Sequence, residues 1–195
     1  MKYRIASTAD LPRIAKIHAL CFPGTFITSF GNKLIEKYYE EYIEEDNSFI
    51  LAIADNDDIQ GFCMGYRTGS KARDSFMQKN KIRLAFRMAW LCLTFNKLAI
   101  SKCLAFIKPK KASNEVRKPQ AKGDLLSICV TDACKGKGIA MELVSEFEKL
   151  LRDKGIADYT LSVYKTNKRA IHFYEKCGLT FYEDSNDEIK MYKKL

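Results

Sequence analysis

The chain of 195 residues has only two histidines, His18 and His172, far apart in sequence. That is too few for a zinc site of the Cys/His type, and no metal is expected. Its seven cysteines are odd in number and scattered, with no Cys-x-x-Cys pair. They read as reduced thiols of a cytoplasmic protein, not as a disulfide framework. No apolar signal-peptide region follows Met1 to Ile5. Acids are nearly missing from residues 67–122, which hold 15 Lys/Arg against Asp74 and Glu115. That segment carries +13 and the rest of the chain −4, within a total of +9. The basicity therefore belongs to one segment and says little about the rest. Stackable aromatics are few among those basic residues, which argues against nucleic acid as a partner. Arg87, Lys97 and Lys102 interrupt the apolar run there, so no charge-free stretch is long enough to cross a bilayer. No internal repeat is visible.

What is present is a hydrophobic content of 47%, with 12% aromatics, enough for a real core. One domain over 1–195 is expected, including the basic insert 67–122. Residues 2–6 read as a strand. Asp10 and Pro12 then suit the start of a helix that carries Leu11, Ile14, Ala15, His18 and Cys21 on one face. A second helix covers 32–43. Strands at 49–54 and 59–66 flank a turn at 55–58. Gly123 to Val130 reads as a strand, followed by Lys135-Gly136-Lys137-Gly138 and an amphipathic helix that Gly155 closes. Tyr159, Leu161 and Val163 alternate as a strand. Asn167 caps a helix to Cys177, Gly178 ends it, and a last hairpin turns at 184–187.

The turn at 135–138 has the makings of an anion site. Two glycines expose backbone N–H groups, and a helix start supplies unpaired donors and the positive end of its dipole. Lysines and glycines also make ordinary surface turns, so the loop alone decides nothing. A Walker loop needs Ser or Thr after Gly-Lys, and Gly138 stands there. A dinucleotide fingerprint needs a third small residue where Met141 stands.

A third pattern fits. Lys135-Gly136-Lys137-Gly138-Ile139-Ala140 resembles the acetyl-CoA pyrophosphate loop of the GNAT N-acetyltransferase superfamily, with Lys135 in place of the usual Arg or Gln. Asn167, Ala170, Phe173, Tyr174, Lys176 and Gly178 fall on a second pattern of that family, with Leu179 where Phe is usual. The resemblance implies an α+β fold. A central, mixed but mostly antiparallel twisted sheet is flanked by helices, and the helical basic insert lies between the third and fourth strands. It implies an acetyl (acyl) group moved from acetyl-CoA to a primary amine by direct attack, with no metal. The acceptor would be an amino sugar or another small amine, and the basic insert would suit an anionic one.

The same resemblance distributes the roles. Backbone groups of Ile128, Cys129 and Val130 would serve the thioester, and residues 135–140 the pyrophosphate. Asn167, Ala170, Phe173 and Lys176 would line the CoA arm. Tyr174 would protonate the leaving thiolate. Asp124 matches an acidic position at the strand start and is a candidate base, or else a strand-end surface acid; the next inward position after it reads as Leu126. His18, Phe22 and Phe26, in the early helix–loop–helix, would meet the acceptor; His18 is also a second candidate base, or else a half-buried helix residue. The alternative is a degenerate CoA-binding module with a regulatory or membrane-docking role. In the insert, a helix over 81–107 places Arg83, Arg87, Thr94, Lys97 and Ser101 on a narrow polar stripe. It would pack on the sheet, on a second subunit in a homodimer, or on a membrane surface.

Overall fold

The computed structural model describes residues 1–55, 58–94, 121–185 and 187–195. Seven strands form one open sheet in the order β1-β2-β3-β4-β5-β7-β6. They are β1 (Lys2–Ile5), β2 (Ser48–Asp55), β3 (Asp58–Arg67), β4 (Gly123–Val130), β5 (Asp158–Tyr164), β6 (Thr180–Ser185) and β7 (Glu188–Lys194). The helices are α1 (Leu11–Cys21), α2 (Asn32–Ile43), α3 (Ala72–Leu93), α4 (Ile139–Asp153) and α5 (Lys168–Lys176). All neighbouring strands run antiparallel except β4 and β5, which are parallel. Mixed topology of this kind agrees with the expected α+β sheet. The expected tip of the first hairpin and the insert beyond residue 94 lie outside the described residues.

β2 is buried at seven successive positions because both sheet faces are covered. On one face, Ile14 and Ile17 of α1 and Ile35 and Tyr39 of α2 pack on Ile50, Ala52, Phe62 and Met64. On the other, Leu143, Phe147 and Leu151 of α4 and Tyr174 of α5 pack on Phe49, Leu51, Ile53 and Cys63. Glu148, on the inner side of α4, is buried yet satisfied. Tyr159 of β5 donates to it at 2.8 Å, and Lys193 of β7 at 2.7 and 2.9 Å. That pair ties α4 to the β5–β7 half of the sheet.

The sequence places the insert's helix at 81–107; α3 begins nine residues earlier, at Ala72. It packs mainly on α2 and the short 28–30 turn, while Ala72 at its start joins the core on the sheet. Phe76, Leu84 and Leu91 meet Phe30 and Leu34 in a small separate core.

The pairing of β3 with β4 slips between Met64 and Gly65. Met64 faces Ser127 and Gly65 faces Leu125, so Leu126 is an extra residue. This bulge reverses which way β4 side chains point. Leu125, Ile128 and Val130 lie with the α4–α5 core, whereas Cys129 lies with the α1–α2 core. Ser127 also meets the α2 side, through Tyr39. Simple alternation after Asp124 would have selected Leu126, which instead is exposed.

Gly65 lets Phe147 close over the bulge. A Cβ there would stand 2.5 Å from the Phe147 ring and 2.6 Å from the Asp124 carbonyl. Overpacking of this kind costs about 1–3 kcal/mol, and each kcal/mol moves Tm by roughly 2–4 °C in a chain of this size. Gly65→Ala is therefore expected to lower the thermal midpoint by several degrees. An unchanged melt would mean that Phe147 and the bulge yield freely.

Candidate active site

The site begins where the sheet opens. β4 and β5 pair only at Gly123–Tyr159 and Asp124–Thr160, and beyond that step they part. Thr131 N–H donates to Gln60 on β3 at 2.8 Å. A strand directs successive amides to opposite edges, so Val130 and Ile128 turn their N–H groups into the opening. The bulge and the lost ladder together leave backbone donors where a carbonyl oxygen can be received. Cys129 presents its side chain to the α1 side and is 3% exposed.

The turn after β4 lies at the wide end of that opening. Gly136 has φ 75° and Gly138 φ 78°, left-handed values that suit glycine. A Cβ at either would meet nothing within 4 Å, so the space above them is open. Gly138 caps α4, and its carbonyl accepts from Met141 and Glu142. The N–H groups of residues 136–140 have no protein acceptor among the described residues. Free amides at a helix start beneath open space match the needs of a pyrophosphate. Ile139 and Ala140 sit half-buried in the first turn of α4, and Lys137 is exposed. Lys135 is exposed too and pairs with Asp132 at 2.5 Å.

α5 forms the opposite wall. The Asn167 side chain accepts from Ala170 N–H at 3.1 Å, so it is used as a helix cap. Ala170 and Phe173 pack on the α4-side core, and Lys176 is exposed at the last turn. Tyr174 is 9% exposed. Its hydroxyl has no hydrogen-bond partner among the described residues. Burial raises its pKa, and the thiols of Cys63, Cys129 and Cys177 oppose its ionisation further, so the phenol keeps its proton.

Asp124 lies at the apex, half-buried, where β4 last touches β5. Thr160 donates to it at 3.0 Å. Burial lifts its carboxyl to about 6, against the lowering effect of the Thr160 and Tyr66 hydrogen bonds and of Lys190. A carboxylate poised near neutrality in a cleft is suited to proton transfer.

The α1–α2 side is less open than the sequence implies. His18 is 4% exposed, and its Nδ1 is 2.7 Å from the Tyr39 hydroxyl. Tyr39 donates onward to Ser127 at 3.4 Å. Burial pushes the imidazole down to about 4, so it is neutral. Phe22 packs on the His18 ring at 4.9 Å, whereas Phe26 turns away to Phe30 at 4.7 Å, under α3. Neither Ser127 nor Tyr39 stands out in the sequence, because the bulge that brings them together has no strong local signal. Cys21, at the end of α1, is a further arrival. Its thiol donates to the Val130 carbonyl at 3.4 Å. The Cys129 thiol, mainly, brings its pKa down to about 7. Among the described residues there is no group of His, Cys, Asp and Glu that could hold a metal ion, and no helix long and apolar enough to cross a membrane.

Comparison with known proteins agrees with this geometry. A search of curated proteins finds no match. PaiA N-acetyltransferase from Thermoplasma acidophilum, solved in complex with coenzyme A, has a similar fold at 16% identity and TM-score 0.60, over 100% of both chains. The ribosomal-protein-S18-alanine N-acetyltransferase of Escherichia coli has 15% identity and TM-score 0.59, over 99% of this chain and 92% of that one. An acetyltransferase from Thermus thermophilus has 10% identity and TM-score 0.62, over 100% of this chain and 98% of that one. The model of the acetyltransferase (GNAT) family matches residues 11–179. With most of its length under that model, and a sheet that opens between β4 and β5 beside an amide-rich turn, the chain belongs to the GNAT acetyltransferase family, whose members are acyltransferases.

Proposed function

We propose that the protein moves an acetyl group from acetyl-CoA to the nitrogen of a small primary amine by direct attack. The single observation that carries this is the opening between β4 and β5, with free amides at its wide end and Asp124 and Tyr174 along its walls. Acetyl-CoA supplies the activated thioester. The amides of residues 136–140 hold its pyrophosphate, and α5, through Ala170, Phe173 and Tyr174, lines its arm. The N–H groups of Ile128 and Val130 receive the carbonyl oxygen as negative charge develops there. Asp124 accepts a proton from the amine, either directly or through water, so that the nitrogen lone pair is free. The new C–N bond forms as the C–S bond breaks, and the Tyr174 hydroxyl gives its proton to the sulfur. The acceptor enters from the α1–α2 side, past Phe22, with His18 holding Tyr39 and Ser127 in place behind it. An anionic amine suits the basic residues of α3. Six described cysteines are free thiols, which supports a cytoplasmic setting.

Release of free CoA thiol over a panel of amines, amino sugars included, tests the reading. The rate on a working amine should fall on the acid side with an inflection near the Asp124 pKa of about 6. The sign follows from the base having to be ionised: below that pH it is protonated and cannot accept. Asp124→Asn should remove this limb and retain acetyl-CoA binding. No thiol release with any amine, in a protein that binds acetyl-CoA, would favour the non-catalytic alternative. A limb that persists in the Asn variant would exclude Asp124.

A further inference from the structure

α3 has more apolar surface than one packing face can use. Phe76, Leu84 and Leu91 face inward to α2 and the 28–30 turn. On the outward side, Ile82 is 64% exposed, Phe86 74%, Trp90 58% and Leu93 75%. Their spacings of four, four and three place them on one stripe, with Ala85 and Ala89 beside it. Scattered surface hydrophobics are ordinary, but four large ones in line are a patch that asks for a partner.

We propose that this outer stripe of α3 is a docking surface for an anionic lipid bilayer. The charges around it decide between occupants. Along α3, Arg73, Lys79, Lys81, Arg83 and Arg87 face only one acid, Asp74. Lys79 is held by Glu41 at 2.9 Å, and Arg87 donates to the Ser29 carbonyl at 3.3 Å. Lys81 and Arg83, exposed and in no ion pair with a described residue, flank the stripe on its two sides. A second copy of the chain on the same stripe would bring its own two cations against these. An anionic headgroup layer would neutralise them while the four apolar side chains enter the acyl boundary. Trp90 suits that boundary, having an apolar body and one N–H donor. Arg87 links the same helix to the backbone at Ser29, in the loop between α1 and α2, so docking would hold the acceptor side close to the membrane plane. Docking of this kind is independent of which amine the enzyme uses.

Trp90 is the only tryptophan in the chain, so its emission reports this face directly. The full-length protein is titrated with vesicles of phosphatidylcholine and phosphatidylglycerol in equal parts, and with phosphatidylcholine alone. The expected result is a blue shift and co-sedimentation with the anionic vesicles only, weakened by added salt. Phe86→Ser with Leu93→Ser, which keeps the probe and alters only exposed side chains, should lower vesicle affinity at least tenfold and leave thiol release in solution unchanged. Several outcomes would overturn the proposal. One is no shift and no co-sedimentation; another is equal binding to neutral vesicles. A third is emission already blue-shifted without lipid, which means the stripe is covered: by a second copy if ultracentrifugation shows a dimer, by the chain itself if it shows a monomer.

Discussion

Tyr174→Phe lowers turnover by about 10²–10⁴-fold, the usual contribution of a general acid, while acetyl-CoA affinity and the thermal midpoint hold. The expectation rests on what the hydroxyl does and does not touch. It is buried in the wall of α5 and makes no hydrogen bond to a described residue, so its removal breaks no structural contact. Burial keeps it protonated in the resting protein. Its proton has a use only when the sulfur acquires charge, and an interaction confined to that moment appears in turnover and not in binding. Steady-state kinetics on a working amine, beside calorimetry with acetyl-CoA and a melt of both proteins, measures all three quantities. Near-normal turnover would remove Tyr174 from the mechanism and leave water as the donor. A fall in affinity or midpoint with unchanged turnover would make the hydroxyl a packing group.

Gly138→Val should abolish most acetyl-CoA binding. Two effects act together at this position. Valine is β-branched and is poorly accommodated at φ 78°, so the turn must shift and its amides with it. Any side chain that did keep the conformation would occupy the open space above the turn, where the pyrophosphate is expected. Hydrogen bonds to a charged group contribute about 1.5–3 kcal/mol each, so losing two of them weakens binding by roughly 100-fold or more, at 1.4 kcal/mol per tenfold. Gly138→Asn is the control, because Asn tolerates left-handed backbone and should retain more affinity. Calorimetry with acetyl-CoA on variants that still melt cooperatively is the measurement. A folded Val variant with unchanged affinity would place the pyrophosphate elsewhere.

The half of the candidate site built on α4 and α5 is legible in the sequence because its signals are local. The glycines at 136 and 138, the cap at Asn167 and the stop at Gly178 each impose a backbone conformation on their own neighbourhood. The structure has all four in those conformations. The helix 32–43 is readable to the residue because its apolar spacing is regular, and the strand 123–130 because an apolar run lies between Gly123 and the polar turn after Val130. The α1–α2 half is different. Whether His18 faces solvent or a buried Tyr39 depends on how α1 and α2 dock, and no spacing in the chain encodes that. The bulge at Leu126 is a relation between β3 and β4, set partly by Phe147 lying over Gly65. It reassigns Ser127 and Cys129 to a face that simple alternation denies them. The early start of α3 escapes a reading by pattern because Asp74 and Lys79 suit an exposed helix and a loop equally well.

The parting of β4 from β5 has one more consequence. Unpaired strand edges are usually a hazard, since another chain can add itself to them and begin an aggregate. Here the unpaired edge lies in the middle of the sheet, walled by α1 on one face and by α4 and α5 on the other. A feature that would promote self-association at the rim is, in the interior, kept from the edge of another sheet.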